Sequence, residues 1–214
     1  MAKIIWDQEG QRFYETGVSN GVLYVRDTAG YKTGVAWNGL VNVSESPSGA
    51  EANPIYADNI KYLSLTSAED FAATIEAYTY PDEFAECDGS AELADGFFIG
   101  QQVRKSFAFA YKTKIGNDVD DNLGYKLHIV YGAKAAPSEK AYGTINESPE
   151  AITFSWEVST VPVPVEGYKP TSTIVLDSTK LDQTKLAAVE DKLFGTDGDE
   201  PTLLLPNEIL ALLQ

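Results

Sequence analysis

A mainly β fold, a β-sandwich or barrel with one helix on its flank, is predicted by three observations. The aromatic inventory is 12 Tyr, 9 Phe and 3 Trp against a single Met, a bias toward pleated, half-buried surfaces. Several runs alternate apolar and polar residues with period two, most clearly Ile152–Val158. Gly, Pro, Asn and Asp clusters separate those runs at short intervals, as turns require. At 214 residues and 43% hydrophobic content, the chain can bury one sizeable core and is not globally disordered.

Residues 1–20 scatter Trp6, Phe13 and Tyr14 among polar residues and read as an N-terminal arm. Asn20-Gly21 reads as a turn, and Val22–Val25 as the first strand. Val35–Val43 follows; Gly39 interrupts its alternation and predicts a bulge that turns Val41 and Val43 onto the face of Trp37. Ser44–Asn53 (SESPSGAEAN) is small and polar, and predicts a loop with too little surface to order itself. Ile60–Leu65 and Phe71–Tyr80 are strands, the second with Phe71, Ala73, Ile75 and Ala77 on one face.

Pro81–Phe98 is acidic and reads as a loop with one helical turn. Val103–Lys114 puts Val103, Phe107, Phe109 and Tyr111 on one face, opposed by Arg104, Ser106, Lys112 and Lys114. A polar turn, Gly116–Gly124, joins it to Tyr125–Tyr131 as a long antiparallel hairpin. After a loop, 132–150, Ile152–Val158 carries Ile152, Phe154, Trp156 and Val158 on its apolar face. Two prolines keep Val161–Val165 out of any central strand, and Thr171–Leu176 is the last strand.

Asp182–Phe194 is the one long helix, with Asp182 as N-cap, Leu186, Val189 and Leu193 as its apolar stripe, and Gly195 as terminator. Pro206 suits the first position of a short apolar helix ending at Leu213, which should dock on its own domain or a neighbour. The domain reading is therefore an arm at 1–20, one β-sandwich domain at 21–194 with its flanking helix at 182–194, and a C-terminal arm at 195–214.

Lys and Arg total 16 against 32 Asp and Glu, a formal charge of −16. Such a surface repels nucleic-acid phosphates, and no basic stripe with interleaved aromatics offsets it. The acid gathers at Asp82, Glu83 and Glu86, at Asp118, Asp120 and Asp121, and around Asp197. One Cys (Cys87) and one His (His128) exclude an internal disulfide and a zinc site of usual composition. His128 lies in a strand and reads as an ordinary packed or outward side chain.

Asp118–Gly124 fails as a calcium loop, since the sixth position is Leu123 and the twelfth Ile129. No Walker loop, GxGxxG or nucleophile–base pair occurs, so neither an enzyme nor a cofactor is expected. No apolar window approaches a membrane span and MAKIIWDQEGQRF lacks a signal-peptide core. The expectation is a protein made in a cytoplasm, with the sequons at Asn42 and Asn146 occurring by chance.

GVLYVRD at 21–27, GVAWNGLVNVSESPSGAE at 34–51, YADNIKYLSL at 56–65 and ATIEAYTYPDEF at 73–84 resemble the major tail (tail tube) protein of long-tailed, non-contractile bacteriophages. GYKLHIVYG at 124–132, AITFSWEVST at 151–160 and LFGTDGDEPTLLLPNEI at 193–209 continue the resemblance in the same order. It implies a tail-tube-type β-sandwich that forms hexameric rings, which stack into a tube in the virion tail. Genomic DNA would pass through without specific binding, after a tape-measure protein leaves the lumen. Tail terminator and distal tail or baseplate proteins would be the other partners, with assembly in the bacterial cytoplasm and no membrane involved.

By position, the resemblance makes Ser44, Glu45, Ser46, Pro47, Ser48, Gly49, Ala50 and Glu51 candidate inter-subunit contacts, with Trp6, Ile209 and Leu212 from the arms. Asp82, Glu83, Glu86, Asp118, Asp120 and Asp121 are candidates for an acidic lumen along which DNA could slide. A β-sandwich carbohydrate-binding module is the alternative, which would show a row of exposed aromatics. A hydrolase with paired carboxylates would require a cleft.

Overall fold

The computed structural model describes residues 3–145 and 150–214, so the Asn146 sequon lies outside the described residues. The chain is mainly β. It begins with β1 (Tyr14–Asp27), β2 (Gly30–Tyr31), β3 (Val35–Trp37) and β4 (Leu40–Glu45). Next come β5 (Ser48–Gly49), β6 (Ala52–Ala57), β7 (Ile60–Thr66), β8 (Glu69–Asp70) and β9 (Ala72–Ala77). A 3-10 turn at Asp82–Glu86 leads to β10 (Ala91–Ala94), β11 (Phe97–Ile99), β12 (Phe107–Gly116) and β13 (Gly124–Ala135). The chain finishes with β14 (Phe154–Thr160), β15 (Thr173–Asp177), α1 (Gln183–Phe194) and α2 (Pro206–Leu213).

Nine strands form one antiparallel sheet in the order β2-β1-β12-β13-β14-β9-β4, with β3 beside β1 and β15 beside β13. The sheet curls until β4, at its far end, stands next to β1. The predicted hairpin is its centre: β12 pairs β13 from Phe107↔Ala133 to Ile115↔Gly124. At Gly132 β13 exchanges one neighbour for another, β15 before it and β14 after it. Only glycine serves there, because φ is +58° and a Cβ would stand 2.3 Å from the Val161 carbonyl oxygen.

The sheet has a core on each face. Leu23, Phe107, Phe109, Ile75 and Trp156 enclose Trp37 and Phe84 on the inside of the curl. Their rings meet edge-on or tilted, with Trp37 4.5 Å from Phe84 and 5.6 Å from Trp156. On the outer face, Tyr24, Ala108, Ala110, Leu127, Ile129 and Tyr131 lie under Leu186, Val189 and Leu193 of α1 and Ile209 of α2. The small Ala108 and Ala110 let the helices approach the sheet closely. Each aliphatic side chain buried there is worth about 1.5–3 kcal/mol.

The helix reading holds in detail. Asp182 accepts hydrogen bonds from the Thr184 and Lys185 amides at 3.0 and 3.1 Å, and the three predicted stripe residues are buried. The Tyr24 hydroxyl donates to the Leu193 carbonyl, occupying an acceptor that the helix end leaves open. Pro206 opens α2 as predicted, and Lys185 donates to the carbonyls of Leu213 and Gln214 at its end.

Several local expectations change. Asn20-Gly21 is not a turn: Asn20 sits at φ 53° inside β1, where the register against β12 shifts twice between Thr16 and Val22. The strand therefore starts at Tyr14, because a polar edge segment that pairs on one side shows no apolar alternation. Gly39 itself is a corner, and the predicted bulge follows it, where the register of β4 against β9 shifts between Leu40 and Asn42. Before the glycine β3 pairs β1; after it β4 pairs β9. Leu40 and Val43 consequently turn inward while Val41 stays exposed.

Val103 lies outside β12 and is 90% exposed. Pro81–Phe98 holds the expected helical turn, but also a second hairpin, β10 with β11. Residues 195–214 dock on the chain's own domain, one of the two outcomes expected for their apolar ending, with Leu203 and Ile209 buried in the outer core.

Candidate assembly surface

The predicted loop Ser44–Asn53 is ordered by pairing: Ser44 and Glu45 end β4, and the rest begins a projecting β-hairpin that spans residues 46–71. Its root continues the sheet, where the Ser46 amide donates to the Ala72 carbonyl at 2.8 Å. Beyond it β5 pairs β8 (Ser48↔Asp70, Gly49↔Glu69), and β6 pairs β7 from Ala52↔Thr66 to Ala57↔Ile60. The tip is a two-residue turn with Asp58 and Asn59 at φ 50° and 64°. Both values positive is the type I′ pattern, which Asp and Asn tolerate and which matches strand twist.

Facing pairs share a side of the ladder, so Ile55 with Leu63 and Ala57 with Ile60 form an apolar strip that Leu65 extends. Ile60 is 62% exposed and Leu65 56%. The other side presents Tyr56, Lys61 and Tyr62 to solvent. Ser44, Glu45, Ser46, Pro47, Ser48, Gly49, Ala50 and Glu51 are all exposed, along the hairpin's first strand and its foot. The apolar strip itself lies downstream of them.

The foot is anchored by side chains. Glu45, the last residue of β4, accepts a 2.8 Å hydrogen bond from the Tyr111 hydroxyl. His128 stacks flat on Tyr111 at 4.6 Å, has Nε2 2.9 Å from the Thr113 hydroxyl, and turns Nδ1 toward Glu45 at 3.7 Å. The His128 imidazole first, and then the Tyr111 hydroxyl, hold the Glu45 carboxyl below the usual carboxylate range against the opposing effect of burial. Burial and the adjacent carboxylate push the Tyr111 hydroxyl well above the ordinary phenol range. On the second foot, the Thr160 hydroxyl donates to the Phe71 carbonyl at 2.7 Å. His128 is a packed side chain, as read.

The arm residues separate. Trp6 is 74% exposed, beside exposed Ile4 and Ile5. Its segment is clasped by the β12–β13 turn, where Asp118 Oδ1 accepts from the Gly10 and Arg12 amides and Asn117 donates to the Gly10 carbonyl. Leu212 is exposed, but Ile209 at 3% exposure is used inside its own chain.

The six acidic candidates also divide. Asp118 is taken by that clasp, and Asp120 accepts from the Asn122 amide. Glu86 lies between Lys105 at 2.5 Å and Lys32 at 3.4 Å; the Lys105 hydrogen bond is the main cause of its lowered pKa. Asp82, Glu83, Asp120 and Asp121 are exposed and carry no ion pair among the described residues. Asp88, counted with the acidic run, is nearly buried between Arg104 and Lys140. Nothing in the spacing marks that pairing, because both cations come from distant parts of the chain.

Among the described residues no cluster of His, Cys, Asp and Glu is arranged to hold a metal, and no helix is long and apolar enough to cross a membrane. No protein-family model and no curated protein matches the chain. Among solved structures, a chain of the 6-fold symmetrised cryo-EM structure of the anti-feeding prophage (AFP) baseplate is similar to it. That match covers 85% of this chain and 100% of the other, at 9% identity and a TM-score of 0.38. A backbone match this loose transfers no function.

Proposed function

We propose that this protein is a non-catalytic structural subunit of a bacteriophage tail, which forms rings that stack into the tube carrying DNA to the host. The ordered sequence resemblance supplies the tail-tube reading. The observation that supports it best is the hairpin at 46–71: an apolar strip held clear of the subunit's own core on a foot pinned by Glu45, Tyr111 and Thr160. A chain that folds so much of its apolar content internally leaves such a strip in water only at a cost, which a neighbour relieves. Open strand edges offer the same remedy laterally, through pairing between subunits.

In this reading the tape-measure protein, the terminator and the distal tail proteins meet the same stacked rings. The acids exposed and free of ion pairs, and so left to face a lumen in this reading, are Asp82, Glu83, Asp120 and Asp121. Their repulsion of phosphate would let duplex DNA slide.

Negative-stain microscopy of concentrated protein tests the proposal, alongside a variant in which a short Asn-Gly turn replaces residues 48–69. Rings or hollow tubes are expected from the wild type, and a folded monomer from the variant. A wild-type protein that stays monomeric at every concentration and binds a glycan overturns the tail reading. Intact tubes from the variant overturn the hairpin's role in it.

A further inference from the structure

The single histidine of the chain sits where the projecting hairpin leaves the sheet. Glu45 ends β4, and the hairpin begins at the next residue. In the sheet order β13, β14 and β9 stand between β4 and β12, so Glu45 meets Tyr111 and His128 across the curl and not along a ladder. One polar atom in this cluster is unsatisfied. His128 is 9% exposed, and its Nδ1 is buried without a hydrogen-bond partner among the described residues, 3.7 Å from Glu45 Oε1.

An unpaired buried nitrogen costs stability, and the carboxylate beside it lies beyond hydrogen-bond length. A neutral imidazole has one proton for two neighbours, Thr113 at Nε2 and Glu45 at Nδ1. An imidazolium has a proton for each and sets a positive charge against the carboxylate. We propose that His128 is a proton-operated latch on the hairpin root: the imidazolium closes on Glu45 and fixes the direction in which residues 46–71 project, and loss of its proton frees them.

The groups packed around the ring leave it as the titrating member. From β12, Tyr111 keeps its hydroxyl proton, because burial and the adjacent carboxylate push it well above the ordinary phenol range. From β4, Glu45 stays ionised except in acid, since its pKa is lowered, first by the His128 imidazole. Along β13, Lys126 shares the face of His128 and is paired with Glu15 of β1. From β15, Val175 lies opposite His128, and Asp177 beyond it is taken by Lys180 and Thr179. The latch is therefore closed where Glu45 is ionised and His128 charged. It opens as pH rises and the ring loses its proton, and again in acid as Glu45 gains one.

A root held in one direction presents the apolar strip at a fixed angle, so assembly should be stronger on the acid side of neutrality; this consequence alone rests on the assembly reading. NMR below assembling concentration, between about pH 5 and 8 where imidazoles change charge, follows ring and root together. The His128 Cε1–H reports the ring. The protection factor of the Ser46 amide, which donates to the Ala72 carbonyl, reports the root with the intrinsic pH dependence of exchange divided out. As pH rises, protection should fall about threefold, the scale of a partly exposed ion pair, at the same midpoint as the ring.

Glu45→Gln keeps an acceptor for Tyr111 without a charge, and His128→Phe keeps a flat ring without a proton. Both should abolish the step, while the ring still titrates in Glu45→Gln. A ring that does not titrate in this range, a Ser46 amide that does not follow it, or a step that survives Glu45→Gln overturns the latch. Sedimentation at about pH 6 and about pH 8 tests the consequence. Equal assembly at both, with the NMR step present, leaves the latch standing and overturns its control of assembly. No oligomer at either pH overturns the assembly reading itself.

Discussion

Two antiparallel hairpins in this molecule are built from similar residues and end in opposite environments. In β12–β13 the Phe, Tyr, Ile and Leu side chains are buried on both faces, under the aromatic cluster on one side and under α1 on the other. In β6–β7 the Ile, Leu and Tyr side chains face solvent on both sides. Local sequence reads both as strands, and does not tell which of their faces another layer will cover. What differs is supply: the chain has one flanking helix pair and one curl of sheet, and β12–β13 uses both. The β6–β7 hairpin has no such cover within the subunit.

Matched truncations set this contrast at its sharpest. Leu193→Ala removes a fully buried side chain from the α1 stripe and should destabilise the fold by about 2–5 kcal/mol in denaturant unfolding. Leu65→Ala, on the exposed strip, should change the same measurement by no more than about 0.5 kcal/mol while abolishing higher-order assembly by sedimentation. Equal losses of stability at the two sites would mean that the hairpin strip is covered within the monomer.

Asp182→Ala tests the buried side alone. Loss of the two amide hydrogen bonds at the start of α1 should cost about 1 kcal/mol without altering assembly geometry.

The smallest effect belongs to the hairpin foot. Glu45 has a lowered folded-state pKa, so its contribution is present above the unfolded-state value and is lost as pH falls through the lower folded value. Glu45→Gln should remove that acid-side loss and loosen the foot, read as faster amide exchange at Ser46 and Ala72. Unchanged exchange and an unchanged acid limb would show that Glu45 is not the anchor.

The legibility of the chain followed the reach of each interaction. The α1 cap and stripe, the alternation of Ile75 with Ala73 and Ala77, and Trp156 with Val158 could be read directly, because each is settled within a few residues. Pro206 was equally plain, since its fixed φ suits a first helical turn. The second covered face of β12 was not: Ala108 and Ala110 sit between large aromatics and read as neutral until a helix is known to lie over them. The Tyr14–Asn20 strand was hidden because its partner is nearly 100 positions away and its own residues are polar. Asp118 looked like one acid among several, and became an anchor only when the turn met the N-terminal segment.

The 46–71 hairpin shows the division most plainly. Its strand Ile60–Leu65 and the small, polar character of Ser44–Asn53 were visible in the sequence; the Asp58-Asn59 turn was not singled out. That these pieces pair with each other and project from the sheet was decided by tertiary structure. By itself the sequence determined a mainly β chain with one capped helix, an acidic surface and too few His and Cys for a conventional metal or nucleophile–base site. Only the folded structure decided which apolar residues are covered and which are left outside. The reason is that periodicity states how a residue alternates, whereas burial depends on whether another layer is available to meet it.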